Sequence, residues 1–484
     1  MPVINDLWKR AQIQEIDEAV IAMERNGFML DLEYLKVNAE RARDDERQIL
    51  DSLAQNMARA GVPPLPGWED IWTSPKQLVS LIHDEHCFNL EPSPVKFKGK
   101  VKVELGERST DKTALEYLGV QLGRLMEREP TSRFADSRRG VAECLEGIIR
   151  LRQTRSSIKY LEKLPRYVGP DGFVHPVCGA ASDDDDRVGA LTGRFAMKNP
   201  EGQQIPKNKK KDRYGLRRSF IAPPGQQIIA ADFSALEAVI LANLGEWLFG
   251  DTLLLDLTAP GQDIHAYNAH RIFGVLLGWK TEDGRKIADY PQQELYKTDP
   301  ALAWFRDLIK AVWYGLMYRK SAYGFGYSLR DAQNNLLGKT RAQEIVDAMY
   351  EAVPTIPKFH AWVDERVKRT GGMISPDGRR VDYTPTIERG EWGLEAAQRA
   401  GSNFPMQAYG AGIVGAAMVA LNKCPILKKT GAKMQLQVHD EFVFRAPKSA
   451  CWEVGELVQY HMEETTKLKN LRVEVGIADT WEDA

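Results

Sequence analysis

Apolar residues recur at helical spacing through Ile13, Ile16, Ala19, Val20 and Met23. This predicts an amphipathic helix that Asn26-Gly27 ends. A long charged stretch from Asp31 to Arg59 continues the helical reading, so residues 6–60 read as helix with one break. Residues 60–72, rich in Pro, Gly and Trp, predict a loop. Ser74-Pro75-Lys76-Gln77 then predicts a new helix, with Ser74 as cap and Pro75 in the first turn. Val95 to Val103 alternates apolar residues with Lys96, Lys98, Lys100 and Lys102 around a central Gly99. That period of two predicts a small hairpin with one basic face. Residues 140–164 predict a long helix that could lie antiparallel to 31–59.

The pattern changes after residue 166. Strand-like runs with Pro/Gly turns extend to 243, helical periodicity returns over 263–370, and a hairpin is predicted at Met373–Val381. A helix at 391–421 and strands around 433–446 follow. Strand material thus flanks a helical block, which predicts one sheet fed by two separate segments. The acidic run Asp183–Asp186 reads as a solvated loop, because four consecutive carboxylates cannot all face one ion. No internal repeat, signal peptide or bilayer-length run is evident, so no membrane association is expected.

Composition alters this picture little. The chain of 484 residues is too long for one core, so two to four lobes are expected. Five scattered cysteines, none in CxxC spacing, predict a reducing, cytoplasmic setting without zinc or disulfides. The net charge of −2 does not announce a nucleic-acid binder. Its distribution says more. Lys207, Lys209, Lys210, Lys211, Arg213, Arg217 and Arg218 lie close together, opposed only by Asp212. With the basic hairpin, they could track a phosphate backbone, although each alone also fits a solvated surface.

Two residues carry candidate chemistry. Asp232 closes the apolar run Ile228–Ala231, and Asp440 follows Met434–His439. A carboxylate in a buried strand is costly without a compensating partner, and two side by side raise each other's pKa unless a cation intervenes. Read alone, each fits a strand-end turn equally well. Read together, they suggest a divalent metal site for phosphoryl chemistry. Between them, Arg306, Lys310, Tyr314 and Tyr318 recur every fourth residue. On a helix this makes one ridge, able to hold a triphosphate by its cations and stack a base on a ring. A solvated amphipathic helix explains the cations but not the tyrosines.

Together these residues resemble the family A DNA polymerases, the group of bacterial DNA polymerase I and many phage enzymes. The resemblance spans nearly the whole chain. Asp232-Phe-Ser-Ala-Leu-Glu237 is similar to motif A, Arg306-xxx-Lys310-xxx-Tyr314-Gly-xx-Tyr318 to motif B, and Gln437-Val-His439-Asp440-Glu441 to motif C. Thr192-Gly193-Arg194, Gln203–Pro206, Phe220–Pro223, Asp263-Ile-His265, Gly378-Arg-Arg380 and Arg399-xxx-Asn403-Phe-Pro-Met-Gln407 match in the family's order. Met23–Gly27 and Ser74–Leu78 look like its thumb entry.

The resemblance implies an α+β right-hand fold with a helical thumb, an antiparallel-sheet palm and helical fingers. The thumb would be 1–165, with the basic hairpin near 92–104. The palm would be 166–262 and 391–484, and the fingers 263–390. It implies a template-directed DNA polymerase using primer-template DNA and dNTPs. Two Mg²⁺ ions would sit at Asp232 and Asp440, with Mn²⁺ as a substitute. Arg306, Lys310 and His265 match contacts to the incoming triphosphate, and Lys310 could protonate the leaving pyrophosphate. Tyr314 matches the ring packed on the nucleotide, which implies ready use of dideoxynucleotides. Tyr318 matches the ring near the templating base, and Glu237 the steric gate against a ribose 2′-hydroxyl. Arg194, Arg399, Asn403 and Gln407 match minor-groove readers, His439 a primer-terminus contact, and Glu441 an acidic support beside the metals.

Departures from the pattern are Ala235 for Gln or Gly, Val239 for Arg, and Arg319 for Gly, the last of which could add a template contact. Glu201 and Gln204 replace asparagines. Stretches around Gly179–Ala190 and within 275–300 look inserted. The chain opens at the thumb, so no proofreading exonuclease is expected in this polypeptide. A separate exonuclease or processivity factor is compatible with a phage-type monomer in a host cytoplasm. Single-subunit RNA polymerases share the palm, but Glu237 and the His439-Asp440-Glu441 triplet argue against that reading. The set Asp232, Asp440, Lys310 and Arg306 argues against an inactive DNA-binding protein.

Overall fold

Gln226–Phe233 is buried almost throughout from Ile228 to Ala231, as a strand covered on both faces must be. It lies inside a four-stranded antiparallel sheet whose order is Lys433–Val438, Glu441–Pro447, Gln226–Phe233, Val473–Ala478. The sheet draws on separated segments, as expected. Its last strand is an addition to the expected ones, although Val473, Val475 and Ile477 alternate with Glu474 and Gly476. In register, Asp232 lies between Glu441 on one neighbour and Glu474 on the other. Helix Cys451–Glu463 packs on this sheet, and helix Arg10–Asn26 on its Lys433–Val438 edge.

In this computed structural model the described residues are 10–63, 71–72, 74–91, 96–98, 101–103, 108–179, 192–207, 212–331 and 336–484. The acidic run Asp183–Asp186 and Lys209–Lys211 lie outside them. The chain forms two compact units. One comprises Met1–Leu32, Leu164–Ala322 and Gln343–Ala484, the other Glu33–Lys163 and Tyr323–Ala342.

The first unit holds the sheet and helix Glu391–Lys423. The expectation of no bilayer-length run needs correction here. By length and composition this helix could cross a membrane, but 78% of its most apolar window is buried inside the fold. It packs against Arg10–Asn26, Leu236–Phe249, Thr355–Thr370 and Cys451–Glu463, which makes it an interior helix. The predicted second hairpin forms from Gly372–Ile374 and Arg380–Asp382.

In the second unit, helices Leu32–Ala60 and Ala135–Lys163 run antiparallel, the pairing expected of 31–59 and 140–164. Arg59 meets Glu143 at 3.1 Å near one end and Arg43 meets Glu162 at 2.7 Å near the other. Leu53, Met57, Leu145 and Ile148 form part of the core between them. Gly140 allows the helices to touch, since a Cβ there would come within 2.7 Å of the Asn56 carbonyl. Ser74 Oγ accepts from Gln77 N at 3.4 Å, the predicted cap. The basic hairpin pairs Lys96–Lys98 with Val101–Val103.

Candidate active site

Asp232 is the penultimate residue of its strand. Two residues after the strand's last position begins the turn: Ala235 goes left-handed (φ 50°) and starts helix Leu236–Phe249, placing Glu237 in the first helical turn. Asp440 differs from expectation in one respect. It stands in the two-residue turn between Lys433–Val438 and Glu441–Pro447, where His439 takes φ 59°. The Phe233 amide donates to the Asp440 carbonyl at 3.3 Å, which ties the turn to the Asp232 strand.

Burial, and then the Asp232 charge, push the Asp440 carboxyl up to about 7. Asp232 Oδ2 accepts from Lys207, while its Oδ1 is buried without a hydrogen-bond partner. An orphaned carboxylate oxygen beside a second crowded carboxylate is the arrangement a divalent cation satisfies. Among the described residues no group of three His, Cys, Asp or Glu could hold an ion alone.

Glu441 lines the same cleft but has partners of its own. Its Oε2 accepts from Arg217 Nη1 at 3.2 Å and its Oε1 from Trp481 Nε1 at 3.2 Å. The Arg217 guanidinium lies 3.8 Å above the Trp481 ring. With both oxygens engaged, Glu441 supports the hairpin base.

The expected ridge lies on helix Pro300–Met317, which Asp299 caps through Ala301 N at 2.9 Å. Arg306 is held by Asp263, its Nε and Nη2 each 2.9 Å from Oδ2. Asp263 also caps Ile264–Ala269 through the amides of His265 and Ala266. Lys310 is exposed, without a hydrogen bond or ion pair to any described residue. Burial pushes the Tyr314 hydroxyl up to about 12, with the charges of Glu237, Asp440 and Asp232 adding to the shift. Tyr318 ends the helix, and its hydroxyl lies 2.6 Å from both Glu237 oxygens, to one of which it donates.

His265 is buried beneath the ridge, its ring 6.0 Å from that of Tyr314. Burial lowers its pKa to about 4, so it is neutral at pH 7. Burial lowers His360 to about 4 as well, with Arg319 adding to the effect. Unfolded histidines titrate near 6.5, so this contribution is intact above that pH and is lost as the pH falls toward 4. Unfolding free energy should drop by about 3 kcal/mol per histidine over that range. Urea unfolding at several pH values, with His360→Gln as comparison, checks this. An unchanged slope in that variant would show that His360 carries none of the effect.

Arg194 donates to Glu237 Oε1 at 2.6 Å, and Gln407 hydrogen-bonds Tyr318. Arg194, Glu237, Tyr318 and Gln407 therefore form one bonded cluster. Arg379 donates to the Thr192 carbonyl and fills the space where a Gly193 side chain would sit. That interaction joins two of the matched motifs. Arg399, Asn403 and Gln407 share one helical face. Arg399 pairs with Glu395 at 3.5 Å, and Asn403 Oδ1 is buried without a partner. His439 lines the same cleft as Asp232 and Asp440, and burial lowers its pKa, assisted by Arg194 and Arg217. Arg319 departs from expectation. Its guanidinium is pinned inward, to Ser402 and Asp364, rather than free for a template.

Four supports of the site escape sequence reasoning: Lys207, Arg217, Asp263 and Trp481. Lys207 and Arg217 stand out in the sequence only as members of a basic cluster, and Asp263 only as part of a matched motif. Trp481 carries no signal.

The model of the family described as DNA polymerase family A matches residues 71–290 and 293–483. The thermostable DNA polymerase I of Thermus aquaticus is 30% identical over 98% of this chain and 48% of its own length. The DNA polymerase I of Pseudomonas aeruginosa is 27% identical over 96% of this chain and 43% of its length. The chain thus spans about half the length of these curated relatives. Among solved structures, the POL domain of Pol1 from M. smegmatis, in complex with DNA primer-template and dNTP, superposes with a TM-score of 0.74. The likeness covers 97% of this chain and 70% of that one at 24% identity, and shows the shared right-hand α+β fold. A family match over most of the sequence and a common fold lead to one conclusion: the chain belongs to DNA polymerase family A.

Proposed function

We propose that this chain is a template-directed DNA polymerase that adds deoxynucleotides to a primer 3′-end. The observation that carries the reading is the Asp232–Asp440 pair, which lines one cleft and leaves Asp232 Oδ1 orphaned. Asp232 and Asp440 would hold the divalent metal, Mg²⁺ or Mn²⁺. When bound, such ions lower the pKa of the primer hydroxyl and offset the charge of the triphosphate and departing pyrophosphate.

The chain's own residues then have separate tasks. Arg306, preset by Asp263, and the unencumbered Lys310 supply the positive charge for the triphosphate. His265, being neutral, can donate a hydrogen bond but adds no charge there. Lys310 can deliver a proton to the leaving pyrophosphate. Tyr314 packs on the incoming nucleotide. Arg194, Arg399, Asn403 and Gln407 read acceptors in the minor groove that are common to all correct pairs, and His439 meets the primer terminus. The matching domain assignment is a thumb at 1–165, a palm at 166–262 and 391–484, and fingers at 263–390. Five free cysteines fit a reducing compartment.

Primer extension on a primed single strand tests the reading. Extension should require Mg²⁺ or Mn²⁺, template and dNTPs. A purified, folded chain inactive with either metal would overturn it.

Glu237 is held rigidly by Arg194 and Tyr318, as a steric gate requires. Glu237→Ala should therefore raise ribonucleotide use relative to deoxynucleotide by about a hundredfold. Competitive incorporation assays measure that ratio. A variant as selective as the parent would remove Glu237 from sugar selection.

A further inference from the structure

The helix carrying Arg306, Lys310, Tyr314 and Tyr318 ends against the local rules. Lys320 N donates to the Gly315 carbonyl at 2.8 Å and Arg319 N to the Leu316 carbonyl at 2.8 Å. These are the paired bonds of a Schellman cap, whose turning residue takes left-handed backbone and is usually glycine. Here it is Arg319, at φ 56°. A side chain in that conformation is strained and persists only where its surroundings over-determine it.

The guanidinium supplies that determination. Nε donates to Ser402 Oγ at 2.5 Å, Nη2 to the His360 carbonyl at 2.7 Å, and Nη1 pairs with Asp364 Oδ1 at 2.8 Å. The side chain is only 16% exposed. His360 in turn hydrogen-bonds the Leu316 carbonyl within the same cap. Helices Thr355–Thr370 and Glu391–Lys423 thus clamp the last turn of the ridge helix. The adjacent Tyr318 reaches Glu237 and, on the second of these helices, Gln407.

We propose that Arg319 is a positioning residue for substrate selection: it latches the end of the ridge helix and so keeps Tyr318 seated on Glu237. The proposal rests on the polymerase reading above, in which those two residues face the sugar and the templating pair. A latch that touches no substrate should act on the selectivity of binding before it acts on the rate of the bond-forming step.

Arg319→Gly separates latch from strain, because glycine accepts the left-handed turn while giving up all three guanidinium partners. The wild-type chain, Arg319→Gly and Arg319→Lys would be compared in two ways. The first is hydrogen exchange of the 314–320 amides without DNA. The second is single-nucleotide incorporation of correct, mismatched and ribonucleotide substrates. In Arg319→Gly, exchange at Arg319 and Lys320 should quicken about tenfold while the melting temperature stays within a few degrees. KM for the correct nucleotide should rise about fivefold with kcat within about twofold, and discrimination should fall by about fivefold or more. Arg319→Lys, able to keep one partner of three, should fall between.

Unchanged exchange in Arg319→Gly would overturn the latch. Faster exchange with wild-type KM and discrimination would overturn its role in selection. Should Arg319→Gly fail to fold, Ser402→Ala and Arg319→Lys carry the same two readouts. A wild-type chain without metal-dependent extension would instead count against the polymerase reading, and the exchange comparison would still decide on the latch.

Discussion

Replacing Asp232 with Asn should lower primer extension at least about a thousandfold, equivalent to about 4 kcal/mol of transition-state stabilisation, without weakening the fold. The activity loss follows from chemistry. An amide oxygen is a far poorer ligand for a hard cation than a carboxylate, and Asp232 Oδ1 is the buried atom left without a partner. Stability should respond in the opposite sense to most buried substitutions. Asp232 crowds Asp440, whose carboxyl is already pushed up by burial and by that neighbour. The amide keeps the shape and removes one of the two repelling charges. The substitution also removes the ion pair with Lys207, but that side chain is largely exposed, so the pair contributes little. The metal-free variant should therefore melt at or above the parental temperature. Single-turnover extension and thermal melts in chelator measure the two halves. Extension within about tenfold of the parent would show that Asp232 is not a metal ligand. A melting point many degrees lower would show that the activity loss came from misfolding.

Legibility in the sequence followed the range of the interaction. Glu391–Lys423 is buried on several sides and records no single stripe, whereas helical periodicity located Arg10–Asn26, because it buries one stripe that its own spacing records. The i, i+4 ridge survived intact for the same reason. The two aspartates stood out because a carboxylate beside an apolar run is locally anomalous. Partners across the fold left no such trace. Nothing near Arg306 announces Asp263, 43 residues away, and nothing near Glu441 announces Arg217, 224 residues away. Arg319 shows the converse. A local rule calls for glycine at that turn, and tertiary bonds from Ser402, His360 and Asp364 override it. Charge alone suggests that Arg319 is exposed, whereas three fixed partners bury it.

The largest stability effect should come from Arg217. Replacing it with Met should destabilise the protein by about 3–5 kcal/mol, because it strands the Glu441 charge inside. Both side chains are only 6% exposed, so water cannot replace the missing partner. Glu441 would keep only the Trp481 hydrogen bond, and Trp481 would lose the cation stacked on its ring. Glu441→Gln should cost a similar amount, since it strands Arg217 in turn. The double variant Arg217→Met with Glu441→Leu should recover most of the loss, as a buried pair exchanged for apolar residues of similar volume is often near neutral. Its activity should not recover in step. Glu441 is adjacent to Asp440 and pairs in register with Asp232, so the Arg217–Glu441–Trp481 cluster fixes the base of this hairpin against the chain's C-terminal segment. Leucine can fill that volume, but it offers no acceptor to Trp481 and no directional tie to hold the turn. Denaturant unfolding of the two singles and the double gives the coupling energy directly, and primer extension by the double separates packing from positioning. A near-zero coupling would mean that the pair contributes nothing cooperative to the fold. Full activity in a stable double variant would show that the turn carrying His439 and Asp440 keeps its geometry without Glu441.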